Sequence, residues 1–461
     1  MLSPDSRKMD MTEGKVFDLI MKFAIPLFIG SVFQQVYNMA DSIVVGQFIG
    51  KNALAAVGGC ASSYNLILAL ISGFSTAASV IIAQAYGSGD VERVRKSFYT
   101  SVIVIMVTGV LMTVVGILAA RPLLEILGTP ADVMDEAVIY LTTICAGILA
   151  TCLYNAIASC LRAIGNSFIP LLALIMASLI NVGLDLFFVL SLGLGVFGTA
   201  LATVISELMS GIFCLIYALK KTEVFAFSDF HGVMDIVIVK EVFRIGIPAA
   251  LSSSIVMISA MFMQRAVNQF GSDAAAAYTA GSRTEQIFMC LSFAIGQAIG
   301  TFSGQNIGAE KYDRVKEGMR NGYLINLLYT VVMGCIMFFG APYVLAIFTT
   351  SQKVAEIGVP MVRITAVFAP VLGFVFIFQN FLRSASDISP TIWMSACEIS
   401  ARSILSFVFA AIGGCFGIWW ATPVGWSGSM LIGLIRYRSG AWKEKSRKAR
   451  ERLMNKTEEV V

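Results

Sequence analysis

The sequence is divided into apolar runs of twenty or more residues that carry few charges, and this one feature leaves little choice of fold. A run of that length crosses a ~30 Å hydrocarbon core as an α-helix. No water reaches the core, so every backbone N–H and C=O has to be satisfied within the segment, which a helix achieves and an open strand does not. The runs are also too long, and too little alternating, for the strands of a membrane barrel. Only 13% of the residues are charged while 57% are hydrophobic, with a mean hydropathy of +0.80. Soluble domains carry about 25% charged residues, so a water-soluble globule is excluded. An all-α, polytopic membrane protein is expected.

Gly, Pro and charge clusters punctuate the runs. Twelve spans are expected near 17–45, 53–82, 97–119, 134–159, 166–190, 196–219, 242–268, 274–302, 319–341, 354–380, 389–411 and 416–437. With the N-terminus inside, 26 of the 33 Lys and Arg residues fall on the cytoplasmic side and only Lys51, Arg121 and Lys353 outside. The other four, Arg265, Arg283, Arg363 and Arg402, lie within spans. Cytoplasmic loops collect basic residues, so both termini are expected in the cytoplasm. The opening is polar for about sixteen residues, and the first apolar run is too long for a signal-peptide core, so no cleavage is expected. The basic tail from Arg436 to Lys456 directly follows a span and reads as an orientation signal touching anionic lipid, not as a nucleic-acid arm.

Other chemistries are poorly supplied. The cysteines (Cys60, Cys145, Cys152, Cys160, Cys214, Cys290, Cys335, Cys397, Cys415) are scattered without a CxxC, as small buried hydrophobes are. The only histidine, His231, lies between the two halves, which excludes a His-based catalytic or metal constellation. The Gly-rich stretches are not followed by GK[ST], so they are turns and not phosphate loops. Neither an enzyme nor a nucleic-acid partner is expected.

Sliding the sequence by about 221 residues brings its halves into register. Ala24-Ile25-Pro26 falls on Gly246-Ile247-Pro248, Gly50 on Gly271, Gln84 to Gly87 on Gln305 to Gly308, Arg93-Val94 on Arg314-Val315, and Leu161-Arg162 on Leu382-Arg383. The expected organisation is a cytoplasmic segment 1–16, a six-helix lobe 17–219, a cytoplasmic loop 220–244, a second six-helix lobe 245–437 and a basic tail 438–461. An even number of spans per repeat relates the lobes by a pseudo-two-fold axis along the membrane normal, a layout of secondary transporters.

Ionisable residues at bilayer depth cost about 2.5–3.5 kcal/mol each on translocon scales, so each one needs a reason. Asp41 lies about 24 residues into the first span and Asp185 about 19 into the fifth, both in the outer half. Asn181 stands one turn before Asp185, while Tyr140, Thr199 and Thr203 enter the same layer from outside. Gln34, Tyr37, Asn38 and Asp41 share one face of their helix. Two carboxylates with amide and hydroxyl oxygens supply what a Na⁺ site needs; alternatively, two close carboxylates share a proton and suit a proton carrier. A purely structural role, locking helices together, is the competing reading, and hydroxyls do pack ordinary membrane helices. Convergence of two acids at one depth in one lobe favours function.

At the repeat offset Asp41 corresponds to Phe262 or Met263, Asn181 to Arg402 and Asp185 to Ser406, so the acid layer is absent from the second lobe. Glu398 and Arg402 stand at i, i+4 and are expected to neutralise each other. Arg283 and Glu285, two apart, do not face each other on one helix. Gln34, Tyr37, Asn38, Asn155 and Glu207 are candidates to line a substrate cavity.

Six plus six spans, a proline early in spans 1 and 7, QQVYNMADSIVVGQFIG in span 1, AQAYGSGD after span 2 and LRAIGNS after span 4 together resemble the multidrug and toxic compound extrusion (MATE) family. The resemblance runs from about Gly14 to Arg438. It implies cation-coupled antiport: Na⁺ or H⁺ enters while an amphipathic, often cationic, compound leaves. It also implies a cation site at Asp41, Asn181 and Asp185, with Thr203 as a further ligand, and a plasma-membrane location. The coupling ion would be the only cofactor, the partners would be the small-molecule substrate and membrane lipid, and a monomer is expected. Members with a Glu in the seventh span and an Asp in the tenth differ from this chain, whose seventh span holds no acid and whose tenth holds no Asp. The competing assignments are a lipid-linked oligosaccharide flippase of the same superfamily, which needs a strongly charged cavity, and a polytopic membrane enzyme, which needs clustered His, Asp or Glu.

Overall fold

In the computed structural model, residues 9–126, 129–226, 234–349 and 351–454 are described; His231, Arg7, Lys8 and Lys456 lie outside them. Among the described residues there is no strand. The first half of the chain forms α1 (Val16–Val44), α2 (Lys51–Gly87), α3 (Val91–Ile126), α4 (Ala131–Ala146), α5 (Ile148–Ala163), α6 (Phe168–Leu186) and α7 (Gly195–Lys221). The second half forms α8 (Ile236–Asn268), α9 (Ser272–Gly308), α10 (Tyr312–Ala346), α11 (Gln352–Ser384), α12 (Ser389–Ser400), α13 (Ser406–Ile418), α14 (Ala421–Ser439) and α15 (Ala441–Met454).

Ten helical segments among the described residues are long and apolar enough to cross a membrane, with α12 and α13 counting as one of them. An eleventh is the pair α4 and α5, bent by 45°. The twelfth helix of the layout is α14, whose apolar residues are diluted by Gly, Ser and Thr. Large apolar side chains such as Leu118, Phe339 and Ile412 stand exposed, as lipid-facing helix surfaces require. The chain is a multi-pass membrane protein.

The bend between α4 and α5 has a steric cause. A Cβ built on Gly147 would lie 2.1 Å from Val204 Cγ2, so only glycine lets α7 press into the break. Three helices also loosen into single π-helical turns, at Val45–Ile49, Phe187–Ser191 and Ala401–Leu405. The first two close the helices that carry Asp41 and Asp185, and the third contains Arg402. Such turns occur often at functional sites.

The chain packs as two compact units. One comprises Ile29–Ala250, with Met9 running past Gly165. The other comprises Asp10–Phe28 together with the chain from Leu251 onward, around a core that includes Phe23, Phe302, Phe381, Trp426 and Trp442. The chain therefore leaves one unit and enters the other inside α1 and again inside α8, in each case two residues past a proline, Pro26 or Pro248. The packed units and the sequence halves 17–219 and 245–437 thus differ at these two helices.

The segment ahead of α1 is strapped into the second unit. Met11, fully buried, donates its N–H to Gln305 Oε1 (3.0 Å), and its carbonyl accepts from Asn306 Nδ2 (3.0 Å) and Arg314 (3.3 Å). Arg314 also donates to Gly14 O (3.1 Å), and Lys311 to Thr12 O (3.0 Å).

Candidate cation site

Three helices of the first unit bring the acid layer together. Asp185 and Asn181, one turn apart on α6, are both fully buried. Asp41 on α1 is partly buried and meets Asp185 carboxyl to carboxyl, within hydrogen-bonding reach. From α7, Thr203 accepts the Asn181 side-chain N–H at 3.3 Å and gives its own proton to Thr199 O at 3.1 Å. Thr199 in turn donates to Val196 O at 3.0 Å. Tyr37 stands one turn before Asp41 on α1 and is partly buried. Tyr140 packs beside Val45, Ala53 and Val196 at the edge of this group.

The layer holds more acceptors than donors. Asp41 Oδ1, both Asp185 carboxylate oxygens and Asn181 Oδ1 are buried and find no donor among the described residues. A buried acceptor without a donor costs about 1–3 kcal/mol, and more when charged. Converging all-oxygen acceptors of net negative charge fit a hard monovalent cation or a shared proton. They do not fit a transition metal: among the described residues no three His, Cys, Asp or Glu side chains come together in metal-binding fashion.

The other candidates sort differently. Gln34 and Asn38 are exposed on α1. Glu207, one turn after Thr203 on α7, accepts from the Tyr64 hydroxyl at 3.4 Å and from the Thr151 hydroxyl. Asn155 spends its side-chain N–H on Thr151 O (2.9 Å) within its own helix. Tyr64 and Thr151 escaped the sequence reading because a hydroxyl in an apolar helix gives no sign of which helix it faces. In the second unit the expected Glu398–Arg402 pair forms, at 3.2 Å.

Comparison with known proteins agrees with this architecture. The chain is 26% identical to the probable multidrug resistance protein YoeA of Bacillus subtilis, over 92% of this chain and 93% of that protein. It is 25% identical to the probable multidrug resistance protein NorM of Thermotoga maritima, over 94% and 95% of the two chains. A crystal structure of MATE in complex with MaL6 superposes with a TM-score of 0.87 at 22% identity, covering 94% of this chain and 99% of that one, and shows the same fold. The MatE family model matches twice, at residues 26–187 and 248–409, once in each repeat. These matches take in most of the chain, which therefore belongs to the multidrug and toxic compound extrusion family of transporters.

Proposed function

We propose that this chain is a cation-coupled antiporter that exports amphipathic, cationic drugs or toxic metabolites across the plasma membrane by alternating access, with both termini in the cytoplasm. The observation that carries the reading is the cluster of buried acceptor oxygens without donors at Asp41, Asp185 and Asn181. A protein keeps such an unfavourable group where a ligand relieves it part of the time. Entry of Na⁺ or H⁺ supplies the missing positive charge, and its release inward restores the strained, acceptor-rich state. Thr203, already bonded to Asn181, registers the occupancy of the cluster on α7, and Asp41 itself registers it on α1. Pro26 removes one backbone hydrogen bond from α1 and gives that helix a point at which to bend. The names of the relatives, multidrug resistance and multidrug export proteins, support the substrate class.

One cation moved inward through 100 mV yields about 2.3 kcal/mol, enough for roughly a 50-fold gradient of a neutral solute. A monovalent cationic substrate exchanged one for one gains nothing from voltage, so it needs a second coupling ion or a chemical gradient. The flippase reading is weakened by Arg402, whose charge is already paired with Glu398 and unavailable for a pyrophosphate. The test is ethidium transport by vesicles under separately imposed Na⁺ and H⁺ gradients. Transport should follow one gradient and vanish in Asp41→Asn and Asp185→Asn; uphill transport at full rate by either variant refutes the proposal.

A further inference from the structure

Two turns of the second unit are built from residues that such turns normally avoid. In the first unit the turns after α2 and α5 pass through Gly89 and Gly165, with φ of 77° and 88°. At the repeat offset of 221 residues these positions are Glu310 and Ser386, yet the backbone keeps its course. Their φ angles are 61° and 55°, and no other non-glycine residue among those described has a positive φ. The hydrogen bonds repeat as well. Gly89 donates to Tyr86 O and Glu310 to Ile307 O, both at 3.1 Å; Gly165 donates to Arg162 O and Ser386 to Arg383 O, both at 2.9 Å. A side chain in this left-handed region is unfavourable and persists where the surroundings hold it there.

In both turns the hold comes from the C-terminal segment. Asp387, buried beside Ser386, is clamped by Arg436 near the end of α14. Its equivalent in the first unit, Asn166, faces instead the neutral hydroxyl of Tyr217 at 3.5 Å. Glu310 pairs with Arg450 of α15. That helix follows α14 through Gly440, whose φ of 68° makes the turn between them. Trp442, Ser446 and Ala449, at i, i+4 and i+7, are buried on one face of α15. Trp442 meets the rings of Phe381, Tyr312 and Tyr437, with centroids 5.0, 6.0 and 6.4 Å away, and donates its indole N–H to Tyr437 O at 3.2 Å. The exposed face is charged and paired within itself, Lys448 with Glu444 at 2.6 Å and Arg447 with Glu451 at 3.5 Å. One side of α15 is thus fitted to protein and the other to water.

Three consecutive residues join this helix to the strap ahead of α1. Glu310 holds Arg450, Tyr312 packs on Trp442, and Lys311 between them donates to Thr12 O at 3.0 Å. Arg314, in the first turn of the helix that follows, grips Met11 O and Gly14 O. We propose that α15 is a clasp: docked, it fixes the turn at 310–312 and through it the strap at 11–14, so that α1 has a firm root from which to move Asp41. Trp442 and Arg450 are then positioning residues for transport, acting through Lys311 and Arg314. A helix that shifts its far end needs its near end held; with the clasp open, the shift is lost in a loose strap. The clasp stands on contacts within the second unit, and only its effect on transport rests on the antiport reading.

The test uses the full chain in lipid membranes, with backbone hydrogen exchange and ethidium transport as its two readouts. The Met11 N–H, bonded to Gln305 Oε1, reports opening of the strap directly. Trp442→Ala removes the main docking group of α15 and should speed exchange at residues 11–14 at least tenfold. Exchange at 354–361, at the other end of α11 from Phe381, should stay within twofold of wild type. Arg450→Glu breaks only an exposed ion pair, which contributes little by itself, so exchange about threefold faster is expected. Adding Glu310→Arg to that variant re-forms the pair with its charges exchanged and should return the strap to within twofold of wild type. The kcat for ethidium should fall at least threefold in Trp442→Ala with KM within twofold, and in the charge-exchanged chain should match wild type. Unchanged strap exchange in Trp442→Ala, equal loosening at 354–361, no recovery on exchanging the charges, or full-rate transport with a loosened strap would each overturn the proposal. A wild type that moves no ethidium, while strap exchange follows the clasp as stated, would sink the antiport reading and leave the clasp standing.

Discussion

Replacing Asp185 with Asn should make the ion-free protein more stable while removing its response to the coupling ion. Four buried oxygens of the acid layer find no donor among the described residues: Asp41 Oδ1, both oxygens of Asp185 and Asn181 Oδ1. The introduced amide retains one oxygen and turns its NH₂ toward Asp41, which removes two of the four orphans and one of two facing negative charges. At the low end of 1–3 kcal/mol for each orphan, the gain is about 2 kcal/mol. The wild type recovers a similar amount only by binding its ion: a ligand at a hundredfold excess over its Kd stabilises by about 2.7 kcal/mol. Thermal unfolding followed by tryptophan fluorescence, at one scan rate, reads both effects. Without Na⁺ at alkaline pH, Asp185→Asn should melt above wild type. Adding Na⁺, or lowering the pH in its absence, should raise the wild-type midpoint and leave the variant's where it is, and the effective addition names the ion. A variant that melts below wild type in ion-free buffer and keeps the full ion response would refute the idea that these oxygens await a cation.

Further expectations follow from packing and pairing elsewhere. Gly147→Ala places a methyl 2.1 Å from Val204 Cγ2 and should cost about 1–3 kcal/mol, lowering the thermal midpoint, with Val204→Ala restoring most of it. No recovery in the double variant would mean that the bend depends on something other than this contact. Arg314→Gln loses the bonds to Met11 O and Gly14 O, so tryptic cleavage after Lys15 should accelerate several-fold in the folded protein; an unchanged rate would show that the other strap bonds suffice. Arg436 clamps Asp387, 2% exposed, through bonds of 2.6 and 3.1 Å. Arg436→Ala strands that carboxylate at a cost of up to about 3 kcal/mol, and Asp387→Asn in the same chain should recover much of the lost thermal stability.

The helices were legible because hydrophobic length alone decides them, and Asp41, Asn181, Asp185 and Thr203 were legible because counting residues into each span fixes depth. Three things escaped that reading. The break at Gly147 is hidden inside one continuous apolar run, since a glycine shows no sign of the Val204 side chain it accommodates. The alliance of Glu207 with Tyr64 and Thr151 joins three helices whose mutual rotation hydropathy does not specify. The exchange of half-helices at α1 and α8 was likewise invisible, because an apolar face does not name its partner.

That exchange bears on how the molecule is made. Met11 bonds to Gln305, a residue synthesised 294 positions later. At about 5–20 residues per second, roughly 15 to 60 s separate the two on the ribosome. Through that interval the first helix is already in the bilayer with its leading half unmatched, and the strap ahead of it has nothing to hold. The first six helices cannot finish as an independent product, and whatever tends the nascent chain must shelter Asp10–Phe28 until more than half of the polypeptide has emerged. A gene cut between its repeats would yield two fragments that each carry a piece of the other.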